Sequence, residues 1–395
     1  MSRFLALVCM VLSCGATAFA ETFLILPFFN LSKASNLDWV GESLSETVRE
    51  ALASDGVIAI DREDRREAYR RLSIRQSSQL ARGTVITIGQ ALDAEQLIYG
   101  SYELLPASGG ASKGRGTLRI TAQILDLKKM FRGPEYMELG ALEDLAKLQT
   151  HLAWQTLQFV LPKTAPSEQE FRKRQTIPRI DALENYVRGL LARTPEQQIQ
   201  LFTQAVRLEP NYAQAQFQLG RLQFKKKNYR AAAENLGKLQ PTEDHFREAT
   251  FLLGLCRFNL GDFQGAQESF QFVARSVPLN EVLNNLGAAQ SRRNLPEALE
   301  NFKKALDGDS ADPDYQFNVG YALFKQGNLQ GAADKFRAVL DRDPGDAGAI
   351  TMLGRCLKKT PVKPAELKTE GLERLKDNYE ESAYLQLKAV LEPSR

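Results

Sequence analysis

The chain has 395 residues, with 51 Lys plus Arg against 48 Asp plus Glu, a formal net charge of +3. So even a balance excludes a protein that coats nucleic acid, which needs a strongly basic face, while 43% hydrophobic and 25% charged residues exclude general disorder. Two histidines, His151 and His245, leave most metal and acid/base constellations unsupplied, so no catalytic residue, metal ligand or cofactor-binding residue is nominated and no enzyme is expected.

Residues 1–20 read as an export signal: Arg3, an apolar run from Phe4 to Leu12, and small residues ending in Ala18-Phe19-Ala20. The run is too short to span a bilayer. Cleavage after Ala20 predicts an exported, periplasmic protein. Val11-Leu12-Ser13-Cys14 leaves an alternative open, because it resembles a bacterial lipoprotein processing box that would lipidate Cys14 and tether the chain to the outer membrane.

Residues 21–161 read as a compact α/β layer domain. Phe23 to Phe28 is a short apolar run, expected as a buried strand. Val40, Leu44, Val48 and Leu52 recur every four residues and mark a helix, followed by a strand from Val57 to Asp61. Val85, Ile88 and Leu92 mark another helical face before a strand from Gln96 to Leu105. In 117–127, Leu118, Ile120, Ala122 and Ile124 alternate with Arg119, Thr121 and Gln123, giving a half-buried strand antiparallel to its predecessor across the loop 106–116. A last helix is expected over 140–161, with Leu145, Leu148, Leu152 and Phe159 on one face.

Two motifs invite chemistry and fail on context. The loop 109–116, GGASKGRG, lacks phosphate-loop spacing and is flanked by strands rather than opening a helix. Asp61, Glu63 and Asp64 crowd three carboxylates, but with no second cluster they read as a solvated strand-to-helix turn.

The stretches FLILPFFNLS, DWVGESLSETVREAL, VIAIDRED, LDAEQLIYGSYE and RITAQILDL, in this order, resemble the TolB amino-terminal-like domain of bacterial envelope proteins. The resemblance implies a mixed sheet with flanking helices, a setting in the envelope, and no catalytic residues. Lipoproteins that assist outer-membrane assembly or activate cell-wall synthases share this class.

Residues 162–180, with Pro162 at their start and the basic run Arg172-Lys173-Arg174 plus Arg179, read as a solvated linker. Beyond it, Gly220, Gly254, Gly287, Gly320 and Gly354 recur at a period near 34 residues. In 313–344, Gly320, Ala332, Phe336 and Pro344 stand where two packed helices need a close approach, a small crossing residue, a filler and a stop. These positions resemble the tetratricopeptide repeat, and 181–362 is read as about five repeats plus a broken sixth, an all-α solenoid. Cys256 and Cys356 share one register three repeats apart and are expected as separate buried thiols. Pro361 and Pro364 interrupt the last unit, and 363–395, with Leu367, Leu372, Leu375 and Leu387, reads as capping amphipathic helix.

The repeat register implies a concave groove lined by the first helix of each unit. It predicts a partner-binding set of Phe217, Arg221, Phe224, Lys225, Phe251, Leu255, Phe258, Arg292, Phe317, Tyr321, Phe324 and Lys325, with Asn284 and Ser291 in the same rows. Aromatic and Arg side chains suit an extended or helical peptide with acidic groups. The pattern of a chaperone-binding carboxylate clamp is not matched. The expected function is a protein-binding scaffold of the cell envelope, with a lipidated assembly factor or synthase activator, or a small-molecule sensor in the α/β domain, as alternatives.

Overall fold

The computed structural model describes residues 21–32, 34–75, 78–105, 116–175, 177–243, 245–359, 371–381, 383, 384 and 388. The signal segment with Cys14 and the glycine-rich loop up to residue 115 lie outside them. No described helix is long and apolar enough to cross a membrane.

The first part is a mixed sheet between two helical layers. Strands β1 (Thr22–Ile25), β2 (Phe29–Asn30), β3 (Ile58–Ala59), β4 (Gln96–Leu105), β5 (Thr117–Asp126) and β6 (Phe131–Ala141) form it. Its order is β3-β1-β4-β5-β6, with β2 also paired to β4. β1 is parallel to β3 and β4, whereas β4, β5 and β6 form an antiparallel meander. Helices α1 (Trp39–Ser54), α2 (Arg62–Arg71), α3 (Arg82–Ala91) and α4 (Leu145–Val160) flank it.

Successive residues of a strand point to opposite faces, and β1 divides accordingly. Phe23 and Ile25 enter a core with Val40, Leu44 and Val48 of α1 and Leu145 and Leu152 of α4. Leu24 and Leu26 enter a second core with Tyr69 of α2 and Val85 and Ile88 of α3. Because both faces are covered, Gln123 and Leu125 on the second face of β5 are buried too, and a register irregularity lies between them. Asp61 caps α2 by accepting a hydrogen bond from the Asp64 amide at 2.9 Å, so the acidic cluster is a strand-to-helix turn.

Three expectations need correction here. β6 occupies residues given no element, together with the first residues of the helix expected over 140–161; α4 begins only at Leu145. β6 is an edge strand whose Phe131, Met137 and Leu139 are exposed, so it lacks the buried alternation that betrays a strand. Phe159 is 42% exposed and does not join the buried face of α4. The stretch between the domains is not a free linker: it contains α5 (Glu168–Arg174), opened by a capping box between Ser167 and Glu170. Phe171 of α5 is 1% exposed within the first core, and Arg174 lies 3.3 Å from Asp55, the residue that ends α1.

The second part is a stack of helical hairpins: α6 (Ile180–Leu191) with α7 (Pro195–Leu208), α8 (Ala213–Lys225) with α9 (Tyr229–Leu236), α10 (Phe246–Asn259) with α11 (Phe263–Ser276), α12 (Asn280–Arg292) with α13 (Ala298–Gly308), α14 (Pro313–Lys325) with α15 (Leu329–Leu340), then α16 (Ala347–Leu357). Lys227, Gly261, Asn294 and Gly327 each take a left-handed backbone just past the first helix of a unit, where the chain must reverse. Gly220, Gly254, Gly287 and Gly320 face the filler residue of their own hairpin, as Gly254 faces Phe270 and Gly287 faces Phe302. Cys256 and Cys356 are buried and free.

The two parts are not separate bodies. Ala182, Leu183, Tyr186 and Val187 of α6 and Phe202 of α7 continue the core that begins at Phe23. Arg188 donates to the Asn36 carbonyl oxygen at 2.7 Å, and Arg221 of α8 lies 3.7 Å from Glu63 of α2.

Candidate peptide-binding groove

Of the capping helices expected over 363–395, the described residues 381, 383, 384 and 388 are helical, but 371–380 have no helical or ladder structure and instead run across the first helices of successive repeats. Leu372 packs with Phe317 and Met352 near the last repeats, and Leu375, Tyr379 and Tyr384 pack with the cluster of Phe251, Leu252 and Leu255 further back. The strap therefore runs opposite to the order of the repeats.

The backbone of the strap is held by asparagines. Asn318 of α14 donates through Nδ2 to the Arg374 carbonyl oxygen at 2.7 Å, and its Oδ1 accepts from the Arg374 amide at 2.8 Å. One repeat earlier, Asn285 of α12 does the same for Lys376, at 2.7 and 2.9 Å. Both asparagines stand two residues before their repeat glycines, Gly287 and Gly320. Asn284 adds a bond to the Arg374 carbonyl at 2.8 Å and accepts from Asn318 at 2.7 Å. All three asparagines are 0% exposed. An extended chain offers its amide and carbonyl in one direction at every second residue, which suits a pair of side-chain amides in equivalent positions of neighbouring repeats. Each such bond contributes roughly 0.5–1.5 kcal/mol, and left unmade would cost more because the amides are buried.

Charge fixes the register. Glu373 accepts from Ser291 Oγ at 2.6 Å and lies 3.6 Å from Lys325 and 3.9 Å from Arg292. Burial pushes the Lys325 ammonium below its usual range, against the pull of Glu373. Arg374 meets Asp314 at 3.2 Å and Asp346 at 2.7 Å, with its guanidinium 3.7 Å above the Phe317 ring centroid. That contact holds the Asp346 carboxyl below its usual range. Lys376 meets Asp312 at 2.8 Å and Asp314 at 2.6 Å; burial opposes its charge, but these carboxylates win and raise its pKa. Asp312 and Asp346 also cap α14 and α16, accepting from the Tyr315 and Ala349 amides at 3.1 and 2.8 Å. Tyr379 stacks on Phe251 at 5.0 Å, Glu381 pairs with Arg247, and the Glu380 amide donates to Glu281 at 3.3 Å.

The residues read from the repeat register divide into three groups. Phe251, Phe317, Arg292 and Lys325 touch the strap, and Leu255 belongs to the cluster against which it packs. Tyr321 is buried beside Phe317, Phe324 lies under Arg355, and Phe258 packs edge-on to Phe263, so these three support the wall rather than the surface. Phe217 is covered by the stacked ring of His245 at 4.4 Å, Arg221 turns toward α2, Phe224 leans on Tyr229, and Lys225 is exposed beyond the strap. Asn285, Asn318, Asp312, Asp314 and Asp346 were not anticipated. The recurrence of Asn two residues before successive repeat glycines was the available signal for the first two.

The family described as tetratricopeptide repeat matches residues 287–347. No curated protein matches the chain. Among solved structures, YrrB, described as a TPR protein with an unusual peptide-binding site, is 18% identical over 46% of this chain and 93% of its own, with a TM-score of 0.40. The MamA fragment from residue 41 to the end, from Desulfovibrio magneticus RS-1, is 20% identical over 40% of this chain and 92% of its own, with a TM-score of 0.37. The C-terminal domain of LpoB from Salmonella enterica is 17% identical over 31% of this chain and 83% of its own, with a TM-score of 0.24. With the helical hairpins and the glycine register, the match over 287–347 makes the second part of the chain a tetratricopeptide-repeat solenoid behind a mixed-sheet α/β domain.

Proposed function

We propose that the protein is a non-enzymatic scaffold of the bacterial cell envelope whose groove captures an extended segment of another protein. The observation that carries this reading is the reciprocal clamping of an extended backbone by Asn285 and Asn318, a geometry that accepts a peptide main chain independently of its sequence. Tetratricopeptide-repeat proteins are in general protein-interaction scaffolds, which agrees with it. The envelope setting rests on the export signal in 1–20 and on the resemblance of 21–161 to the TolB amino-terminal-like domain. On this reading the α/β domain docks a second partner, and lipidation at Cys14 would make the scaffold an outer-membrane assembly factor or synthase activator.

The test is a photo-crosslinking residue placed at exposed Lys225 in an exporting bacterial host. Crosslinks to another envelope protein that vanish with Asn318→Ala support the reading. Crosslinks confined to the protein's own residues, or unchanged by Asn318→Ala, sink it.

A second reading, a sensor of small anions, is favoured by a cleft of about 920 Å³ lined by Pro27, Phe28, Tyr99, Arg66, Arg75 and Arg193. It opens just past the end of β1 and runs along Tyr99, Gly100, Ser101 and Tyr102 in the middle of β4. Titration of the full chain with phosphate or a dicarboxylate at low salt should then saturate, and Arg66→Ala should abolish binding; linear, unsaturated binding would dismiss the sensor.

A further inference from the structure

We propose that residues 371–381 are an internal ligand that keeps the groove closed, and that the protein's partner is an extended segment of another polypeptide carrying the same pattern. That pattern is acidic, basic, apolar, basic and, three residues later, aromatic, as in Glu373, Arg374, Leu375, Lys376 and Tyr379. The partner binds by displacing the strap. This deepens the scaffold reading and rests on it.

Three observations set the strap apart from a permanent part of the fold. First, no backbone–backbone hydrogen bond joins it to a repeat helix among the described residues. Its main chain is held by side-chain amides of the groove, so another main chain can take the same bonds. Second, its cations remain partly open to water, with the Arg374 and Lys376 side chains 23% and 18% exposed in their ion pairs. Such contacts can be exchanged one at a time, as those of a rim are, and are screened by salt. Third, the groove alternates in charge along the strap: Lys325 and Arg292 face Glu373, Asp312, Asp314 and Asp346 face the two cations, and Arg247 faces Glu381. A competitor must reproduce this alternation, because a carboxylate opposite Asp314, or a cation opposite Lys325, would be repelled.

Tethering sets the strength of the regulation. A strap at an effective concentration of about 1 mM, with an intrinsic Kd of about 10 µM, would fill the groove about 99% of the time and weaken a competitor about 100-fold.

The experiment uses the full chain and a fluorescent peptide with the sequence of residues 371–381. The probe is titrated by anisotropy against the unmodified protein and against the strap variant Glu373→Lys/Arg374→Glu/Lys376→Glu, which leaves every repeat residue in place. The variant should bind the peptide at least about 30-fold more tightly than the unmodified chain, a scrambled peptide should not bind, and adding Asn318→Ala should remove the gain. Equal binding by both proteins, or none by the variant, overturns the proposal. If circular dichroism shows the triple variant unfolded, Arg374→Ala alone is used, with a gain of about 10-fold expected and its absence counting against the proposal. A dimer of the unmodified protein held together by exchanged straps would also overturn it, since the occupant would then be a second copy. Failure here with Lys225 crosslinks to another protein still present leaves the scaffold reading standing; loss of both makes the groove an internal seam.

Discussion

The repeat glycines share a register but not an environment. A Cβ on Gly254 would lie 2.7 Å from the Phe270 ring, whereas nothing described lies within 4 Å of one on Gly354. Gly254→Ala should therefore destabilise by about 1–2 kcal/mol, overpacking outweighing helix propensity, while Gly354→Ala should stabilise by up to about 1 kcal/mol. Denaturant midpoints of the two variants check the opposite signs. His245 offers a pH signature. Burial, and then the cations Arg49 and Arg221, push its imidazole down to about 4 from an ordinary value near 6.5. The folded state thus prefers the neutral ring, and the unfolded state binds the extra proton between those values. Stability should fall as pH is lowered from about 6.5 toward 4, and His245→Gln should flatten thermal midpoints between about pH 6.5 and 5. At this scale the sequence showed the aromatic residues of the groove but not their duties. Phe324 and Tyr321 looked like surface because periodicity marks a face and not what covers it, and Asn285, the main-chain clamp, was not singled out at all.

At the scale of elements, α5 joins the two halves of the molecule. Its capping box starts the helix and its Phe171 is buried in the core that contains Val48 and Tyr186. Phe171→Ala should cost about 3–5 kcal/mol, measured by equilibrium unfolding, although the residue sits in a stretch with the composition of a linker. The helical hairpins were legible because a 34-residue period repeats its evidence several times. The strap was not. Leu372 and Leu375 are spaced as on a helix, but they insert into different clusters along the solenoid, and the backbone of Arg374 and Lys376 beside them is satisfied by asparagines that lie 56 to 91 residues away in sequence. No local pattern carries that information. β6 was missed for a related reason, since an edge strand with exposed Met137 and Leu139 owes its existence to its partner β5.

On the scale of the whole molecule, one core runs from β1 through α1 and α5 into the first repeat. Calorimetry of the unmodified chain should show the α/β domain and the first repeat melting in a single transition, and Phe171→Ala should split it; two transitions in the unmodified protein would contradict a shared core. The order of domains was readable from composition and period, but their docking was not, because it depends on pairs such as Arg188 with Asn36 that no periodicity couples.

A solenoid whose units touch only their neighbours behaves mechanically as a spring. The strap crosses its coils from Asp346 at the start of α16 back to Arg247 on α10, binding distant turns to one another as a thread gathers cloth. Cutting that thread by displacement would relax the pitch, so occupancy of the groove becomes a change in the length of the molecule. Small-angle scattering should register the strap variant as longer than the unmodified chain, and the α/β domain at one end would then be moved relative to the last repeats at the other.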